Sequence, residues 1–170
     1  DLGGPVNKAA YLFATAGLST GDEASLKIMA AVMGAGMIPP IALSIATMLR
    51  KNLFTAAEQE NGKSAWLLGL SFISEGAIPF AASDPLRVIP ATMAGGAVTG
   101  AISMVLGVGS RAPHGGIFVF FAISPLIGWI IALVAGIAVS TVLIIALKQF
   151  WPNKTLMAQA AKDTAQAVAA

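Results

Sequence analysis

Three stretches without a single Asp, Glu, Lys or Arg leave this chain few folds to adopt: Ile28 to Leu49 is 22 residues, Val88 to Ser110 is 23, and Ala112 to Leu147 is 36. About 20 apolar residues in a helix cross the hydrocarbon of a bilayer, where the backbone must satisfy its own polar groups. The spacing predicts an all-α, polytopic helical membrane protein with transmembrane helices and re-entrant hairpins. Composition agrees. Of 170 residues, 56% are hydrophobic and 11% charged, with a mean hydropathy of +0.81, whereas a soluble domain is about one quarter charged.

Other classes drop out on the same grounds. The formal charge is +2 and spread along the chain, with no basic stripe interleaved with aromatics, so nothing points to nucleic acid. Cysteine is absent, which removes disulfides, thiolate metal sites and a cysteine nucleophile. Asp1 follows neither an initiator Met nor a basic signal-peptide start, so the sequence reads as a fragment of a longer protein.

Along the chain, Ile28 to Leu49 is expected to form a spanning helix kinked at Pro39-Pro40, with Gly34 and Gly36 admitting a close neighbour. Arg50 to Lys63, rich in Asn, Gln and Glu, reads as an aqueous loop. Ser64 to Ser83 is divided by Gly69, Gly76 and Pro79 and suits a re-entrant hairpin. Val88 to Ser110 is a second span, in which Gly96 and Gly100 have the spacing of close helix contact. The turn Pro113-His114-Gly115-Gly116 and Pro125 divide the 36-residue run into a short re-entrant piece and a helix from Pro125 to Leu147. Trp129 is expected near one interface and Phe150-Trp151 near the other. Residues 153–170 form an Ala-rich polar tail. Cytoplasmic loops carry excess Lys and Arg, and Arg50, Lys51 and Lys63, with Lys148, Lys154 and Lys162, outnumber Arg111, so both groups are expected on the cytoplasmic side.

Glu75 stands in Ser71-Phe72-Ile73-Ser74-Glu75-Gly76-Ala77-Ile78-Pro79-Phe80 as the only charge between Lys63 and Asp84. Burying an unpaired carboxylate in hydrocarbon costs several kcal/mol at least, so such a residue is by default a binding-site candidate. Two further clusters share its Gly/Pro punctuation, Gly3-Gly4-Pro5-Val6-Asn7-Lys8 and Pro113-His114-Gly115-Gly116. Together Glu75, Asn7, Lys8 and His114 offer the donors and acceptors that a polyhydroxylated solute needs at broken-helix tips. Glu75 has the chemistry of a general base as well. Structural alternatives stand beside each assignment. Glu75 has Lys8, Arg87 and Arg111 as possible ion-pair partners; His114 has a bracing role in its turn; Lys8 suits a water boundary; Asn7 suits a helix cap. Asp84 and Arg87, three apart, suit a local surface pair. The lone His makes no metal site, and no cofactor is implied.

At these motifs the chain resembles enzyme IIC, the membrane-embedded sugar-translocating component of bacterial phosphotransferase systems, in its fructose-type branch. Asp1-Leu2-Gly3-Gly4-Pro5-Val6-Asn7-Lys8-Ala9-Ala10, Phe72 to Phe80 and Pro113 to Gly116 occur in that family's order. The Ile73-Ser74-Glu75-Gly76 run resembles the wider motif Gly-Ile-Thr-Glu, with Phe72 in place of the Gly and Ser74 in place of the Thr. The resemblance implies that residues 1–152 are the carboxy-terminal part of a IIC region in a bacterial inner membrane. It implies inward transport of a sugar, fructose above all, coupled to phosphorylation by a phosphocysteine on a IIB domain. Glu75 would then hold the sugar and orient the attacking hydroxyl, with His114, Asn7 and Lys8 as further contacts. It also implies amino-terminal IIC helices absent from this sequence, and a homodimer. An ion- or proton-coupled secondary transporter uses broken helices and a midplane carboxylate too, and is the competing reading.

Overall fold

A computed structural model of the chain describes residues 2–19 and 21–169; Asp1, the first residue of the amino-terminal motif, lies outside them. The described helices are α1 (Pro5–Leu18), α2 (Glu23–Leu49), α3 (Ala56–Leu70), α4 (Ile78–Ser83), α5 (Pro85–Val105), α6 (Leu126–Phe150) and α7 (Lys154–Ala169). Of these, α2, α5 and α6 are long and apolar enough to cross a membrane. The tail is thus a helix, carried as α7.

The spine is α2, against which α1, α3, α5 and α6 all pack. It starts before the uncharged run because Asp22 caps it, accepting the Ser25 backbone N–H at 3.2 Å. That bond holds the Asp22 carboxyl below its ordinary pKa. Pro39 and Pro40 lie inside one continuous helix. With two amides missing, the carbonyls of Ala35 and Gly36 lack the partner four residues on that an α-helix would supply.

Small residues set the packing, though not where the spacing alone suggested. A Cβ on Gly95 would stand 2.7 Å from the Gly136 carbonyl oxygen, and one on Gly136 would stand 2.6 Å from the Gly95 carbonyl oxygen. This is where α5 and α6 cross. A Cβ on Gly96 would meet only Ala35, at 3.7 Å, and one on Gly100 nothing within 4 Å, so the expectation of tight contact at Gly96 and Gly100 is corrected. One residue along a helix is a turn of about 100°, enough to point away from the partner. Gly34 does admit close neighbours: a Cβ there would stand 3.1 Å from Thr99 of α5 and 3.2 Å from Trp129 of α6. Trp129 itself is fully buried and donates its indole N–H to the Ala30 carbonyl at 3.3 Å, so it fills the helix junction and is no interfacial ring.

The hairpin begins earlier than expected. Thr55 and Glu58 form a capping box, with the Glu58 carboxylate accepting the Thr55 N–H at 2.8 Å and Thr55 Oγ1 accepting the Glu58 N–H at 3.4 Å. Helix α3 therefore starts at Ala56, and the stretch read as an aqueous loop to Lys63 is loop only to Thr55. Its charged residues misled because Glu58 is buried and Gly62 faces α2, where the Ser44 hydroxyl donates to the Gly62 carbonyl at 2.5 Å. After α3 the chain breaks, makes a 3-10 turn at Ser74–Ala77 and returns through α4 into α5. The other interruption is built as Gly109–Ser110 (β1) pairing antiparallel with Ile123–Ser124 (β2) around a 3-10 segment, Gly116–Ala122. The Asp84–Arg87 pair, expected on the surface, is buried instead, and so is Lys148 in the last turn of α6.

Candidate functional site

The tip of the hairpin reaches the middle of α2. A Cβ on Gly36, which lies 13 residues from either end of α2, would stand 2.5 Å from the Phe72 ring and 3.4 Å from Ser74 Oγ. Gly69 packs on Ile41 and Pro40, and Gly76 on Pro40, so the broken-backbone glycines also seat the hairpin on the proline face of α2. The Pro113–Gly116 turn meets the same tip. Gly116 has φ +57°, and a Cβ there would collide with the Leu70 carbonyl oxygen and stand 2.9 Å from the Phe72 nitrogen. Phe72 holds φ 64°, a left-handed conformation that a bulky side chain adopts only when its surroundings enforce it. The enforcing groups are the backbone of Gly36 and Gly116 and two rings, His114 at 5.1 Å and Tyr11 at 6.1 Å between centroids.

Beyond Phe72 the hairpin places Glu75 in a cavity of about 890 Å³. Its walls are Leu2 to Gly4 and Val6 to Lys8 at the start of α1; Val32, Ala35, Gly36 and Pro39 of α2; Ser74, Glu75 and Ile78 of the tip; and Ile89, Thr92 and Met93 of α5. This volume is within the range of about 300–1,000 Å³ usual for small-molecule sites. The carboxylate lies against the Gly3 backbone, where a Cβ would stand 2.6 Å from Glu75 Oε1, and Gly3 has φ +91°. Only glycine fits there without strain. Helix α1 begins beside it with Gly4 as N-cap, no side-chain cap and no acidic residue in its first turn. Glu75 therefore supplies negative charge where a helix N-terminus favours it.

Three of the four predicted site residues, Glu75, Asn7 and Lys8, come together on this wall. His114 does not line it; its imidazole stands at Phe72 and Tyr11, the latter 6.5 Å away. Asn7 is inside α1 and does not cap it, Gly4 holding that position. Among the described residues no Lys or Arg forms an ion pair with Glu75: Arg87 is paired with Asp84 at 2.6 Å, and neither Lys8 nor Arg111 comes within ion-pair distance of it. The α2 and α5 wall was missed by sequence reading. For Ala35 and Gly36 the signal was present in Pro39-Pro40, since each proline marks the carbonyl four residues before it. For Thr92 there was none.

A multi-pass helical membrane protein with a solute-sized site beside the middle of one spanning helix, walled on one side by a broken segment, is the class that this arrangement defines. Comparison with known proteins sharpens it. The chain is 51% identical over 164 residues to the PTS system fructose-specific EIIB'BC component of Escherichia coli strain K12, covering 95% of this chain and 28% of that protein. It is 47% identical over 163 residues to the PTS system fructose-specific EIIC component of Haloferax volcanii, covering 96% and 42%. To the fructose permease IIC component of Bacillus amyloliquefaciens it is 40% identical over 149 residues, covering 88% and 48%. Over most of its length the chain matches the IIC part of fructose-specific phosphotransferase membrane components. It spans between about a quarter and a half of the length of these relatives. No family model and no solved structure matches it.

Proposed function

We propose that this chain is the sugar-binding part of a phosphotransferase permease, that its sugar is fructose, and that the cavity at the hairpin tip holds that sugar. The reading rests on one observation: Glu75, with no ion-pair partner among the described residues, faces a cavity of about 890 Å³ beside the middle of α2. Sugar hydroxyls donate to the Glu75 carboxylate, while Lys8 and Asn7 supply donors from α1. The apolar wall of Val32, Ile78, Ile89 and Met93 packs on the carbon face of the ring. His114 acts on the site through Phe72, by holding the tip that carries Glu75.

Phosphorylation then needs positioning more than covalent help from this chain. A sugar hydroxyl oxygen bonds to phosphorus as the sulfur–phosphorus bond of a IIB phosphocysteine breaks; the hydroxyl proton passes to the Glu75 carboxylate. The same reading assigns residues 1–152 to translocation and 153–170 to an appended tail. It takes as partners a phosphorylated IIB domain, preceding IIC helices and a second copy of the protein.

Energy coupling tests it. Membrane vesicles holding the full-length protein should accumulate phosphorylated fructose when given phosphoenolpyruvate and the general phosphotransferase proteins, with little effect from a protonophore. Accumulation of unmodified sugar that a protonophore abolishes would overturn the reading in favour of a secondary transporter.

A further inference from the structure

Four ionisable side chains outside the cavity are buried together, each at most 7% exposed: Glu58, Asp84, Arg87 and Lys148. The Lys148 ammonium donates to Glu58 Oε1 at 3.0 Å, lies 3.8 Å from Asp84 Oδ2 and sits 4.3 Å above the centre of the Phe54 ring. Arg87 binds Asp84 at 2.6 Å, donates its Nε–H to the Trp151 carbonyl and stacks over the Trp151 ring at 4.9 Å. The Ser83 hydroxyl donates to Glu58 Oε1 at 3.0 Å. Two acids balance two bases, so the cluster has no net charge.

Its members sit at particular places in the fold. Glu58 is in the first turn of α3, where the hairpin enters; Ser83 and Asp84 are where it leaves; Arg87 opens α5; and Lys148 and Trp151 close α6. The cluster therefore ties both legs of the Glu75 hairpin to each other and to the end of α6. Apolar contacts would permit these legs to slide, whereas charge-assisted hydrogen bonds at this burial hold one geometry. Buried ion pairs are weak evidence for stability, because apolar replacements of equal volume often serve stability as well or better.

We propose that Glu58, Asp84, Arg87 and Lys148 are positioning residues: a charge clamp at the base of the hairpin that fixes the depth and orientation of Glu75 at its tip. The link to turnover rests on the function proposed above; the link to hairpin position does not. Lys148→Met alone leaves an uncompensated buried carboxylate and lowers the yield of folded protein. The double variant Lys148→Met with Glu58→Gln restores charge balance, leaves Asp84–Arg87 intact and should fold.

The readout is Ser74→Cys, a near-isosteric probe at a residue 5% exposed beside Glu75, in a chain whose sequence contains no cysteine. In the full-length protein in membrane vesicles, maleimide labelling of that peptide is followed by mass spectrometry, without sugar or phosphoryl donor. The folded double variant should label about tenfold faster than the single Ser74→Cys protein, as a locally opened segment does. With Ser74 restored, the same double variant should lose about 10- to 100-fold in phosphorylation per folded molecule, the order that slight misplacement costs. Lys148→Arg should recover most of the loss. Unchanged labelling in the folded double variant would overturn the clamp, and faster labelling with wild-type turnover would overturn its positioning role. If the wild-type protein phosphorylates no sugar, the proposed function fails and the labelling comparison still decides the clamp.

Discussion

At the scale of single residues, Glu75 and His114 make different demands on their neighbours. Glu75→Gln keeps the size of the side chain and half of its accepting capacity but cannot take a proton. Phosphorylation should fall by about 100-fold or more, in the range that general-base removal costs, with normal membrane insertion. Near wild-type phosphorylation in folded Glu75→Gln protein would make the carboxylate dispensable. His114 packs ring to ring with Phe72 and Tyr11, so shape should matter there more than polarity. His114→Phe should keep more sugar affinity than His114→Gln, as measured by binding to purified full-length protein. The opposite order would place the imidazole on the sugar. Both residues were legible in the sequence, because a lone carboxylate and a lone imidazole in uncharged runs are conspicuous. What distinguishes them, that one faces the cavity and the other faces Phe72, depends on a backbone conformation at Phe72 that no residue type announces.

Helices supply contrasts of their own, and glycines of the same composition behave differently along them. Gly100 has open space where a Cβ would go, while a Cβ at Gly136 would collide with Thr99 Oγ1 and crowd the Gly95 carbonyl at 2.6 Å. Gly100→Ala should raise stability by about 0.4–1 kcal/mol through the unfolded chain and helix propensity. Gly136→Ala should lower it by about 1–3 kcal/mol, as overpacking does. Thermal unfolding in detergent checks both, and equal shifts would refute the crossing point. In α2, Pro39→Ala supplies the amide that the Ala35 carbonyl lacks. Since Ala35 lines the cavity, sugar affinity should fall about threefold to tenfold for one lost hydrogen-bond acceptor while the helix itself is strengthened. Unchanged affinity would remove that carbonyl from the binding surface.

For the whole molecule, the base of the hairpin, the end of α2 and the end of α6 lie at one end, because Glu58, Asp84 and Lys148 meet there. The start of α2 and the β1–β2 ladder lie at the other, where a Cβ on Gly109 would stand 3.3 Å from Leu26. The excess of Lys and Arg favours the first end as cytoplasmic. Asn52→Cys and Arg111→Cys, both at exposed positions, should label from opposite sides of sealed vesicles, Asn52→Cys from the cytoplasmic side. Labelling of both from one side would refute the topology. Lys148, counted with the cytoplasmic charges on the sequence, is buried against Glu58 and Asp84 instead, which weakens that count without reversing it.

The hydrophobic runs of this chain determine by themselves that it spans a membrane in helices and that two segments cannot span it, because bilayer thickness and backbone satisfaction act locally on residue type. They also single out Glu75, since an unpaired charge among apolar residues is visible without coordinates. Only tertiary structure decides that Glu58, Asp84, Arg87 and Lys148 are one buried cluster, since the separation of 90 residues between Glu58 and Lys148 disappears when α6 returns to the start of α3. It likewise decides which glycines are contacts and that His114 stands behind Phe72. Those outcomes depend on the rotation of each helix about its axis, which is set by all its neighbours together and by no single stretch of sequence.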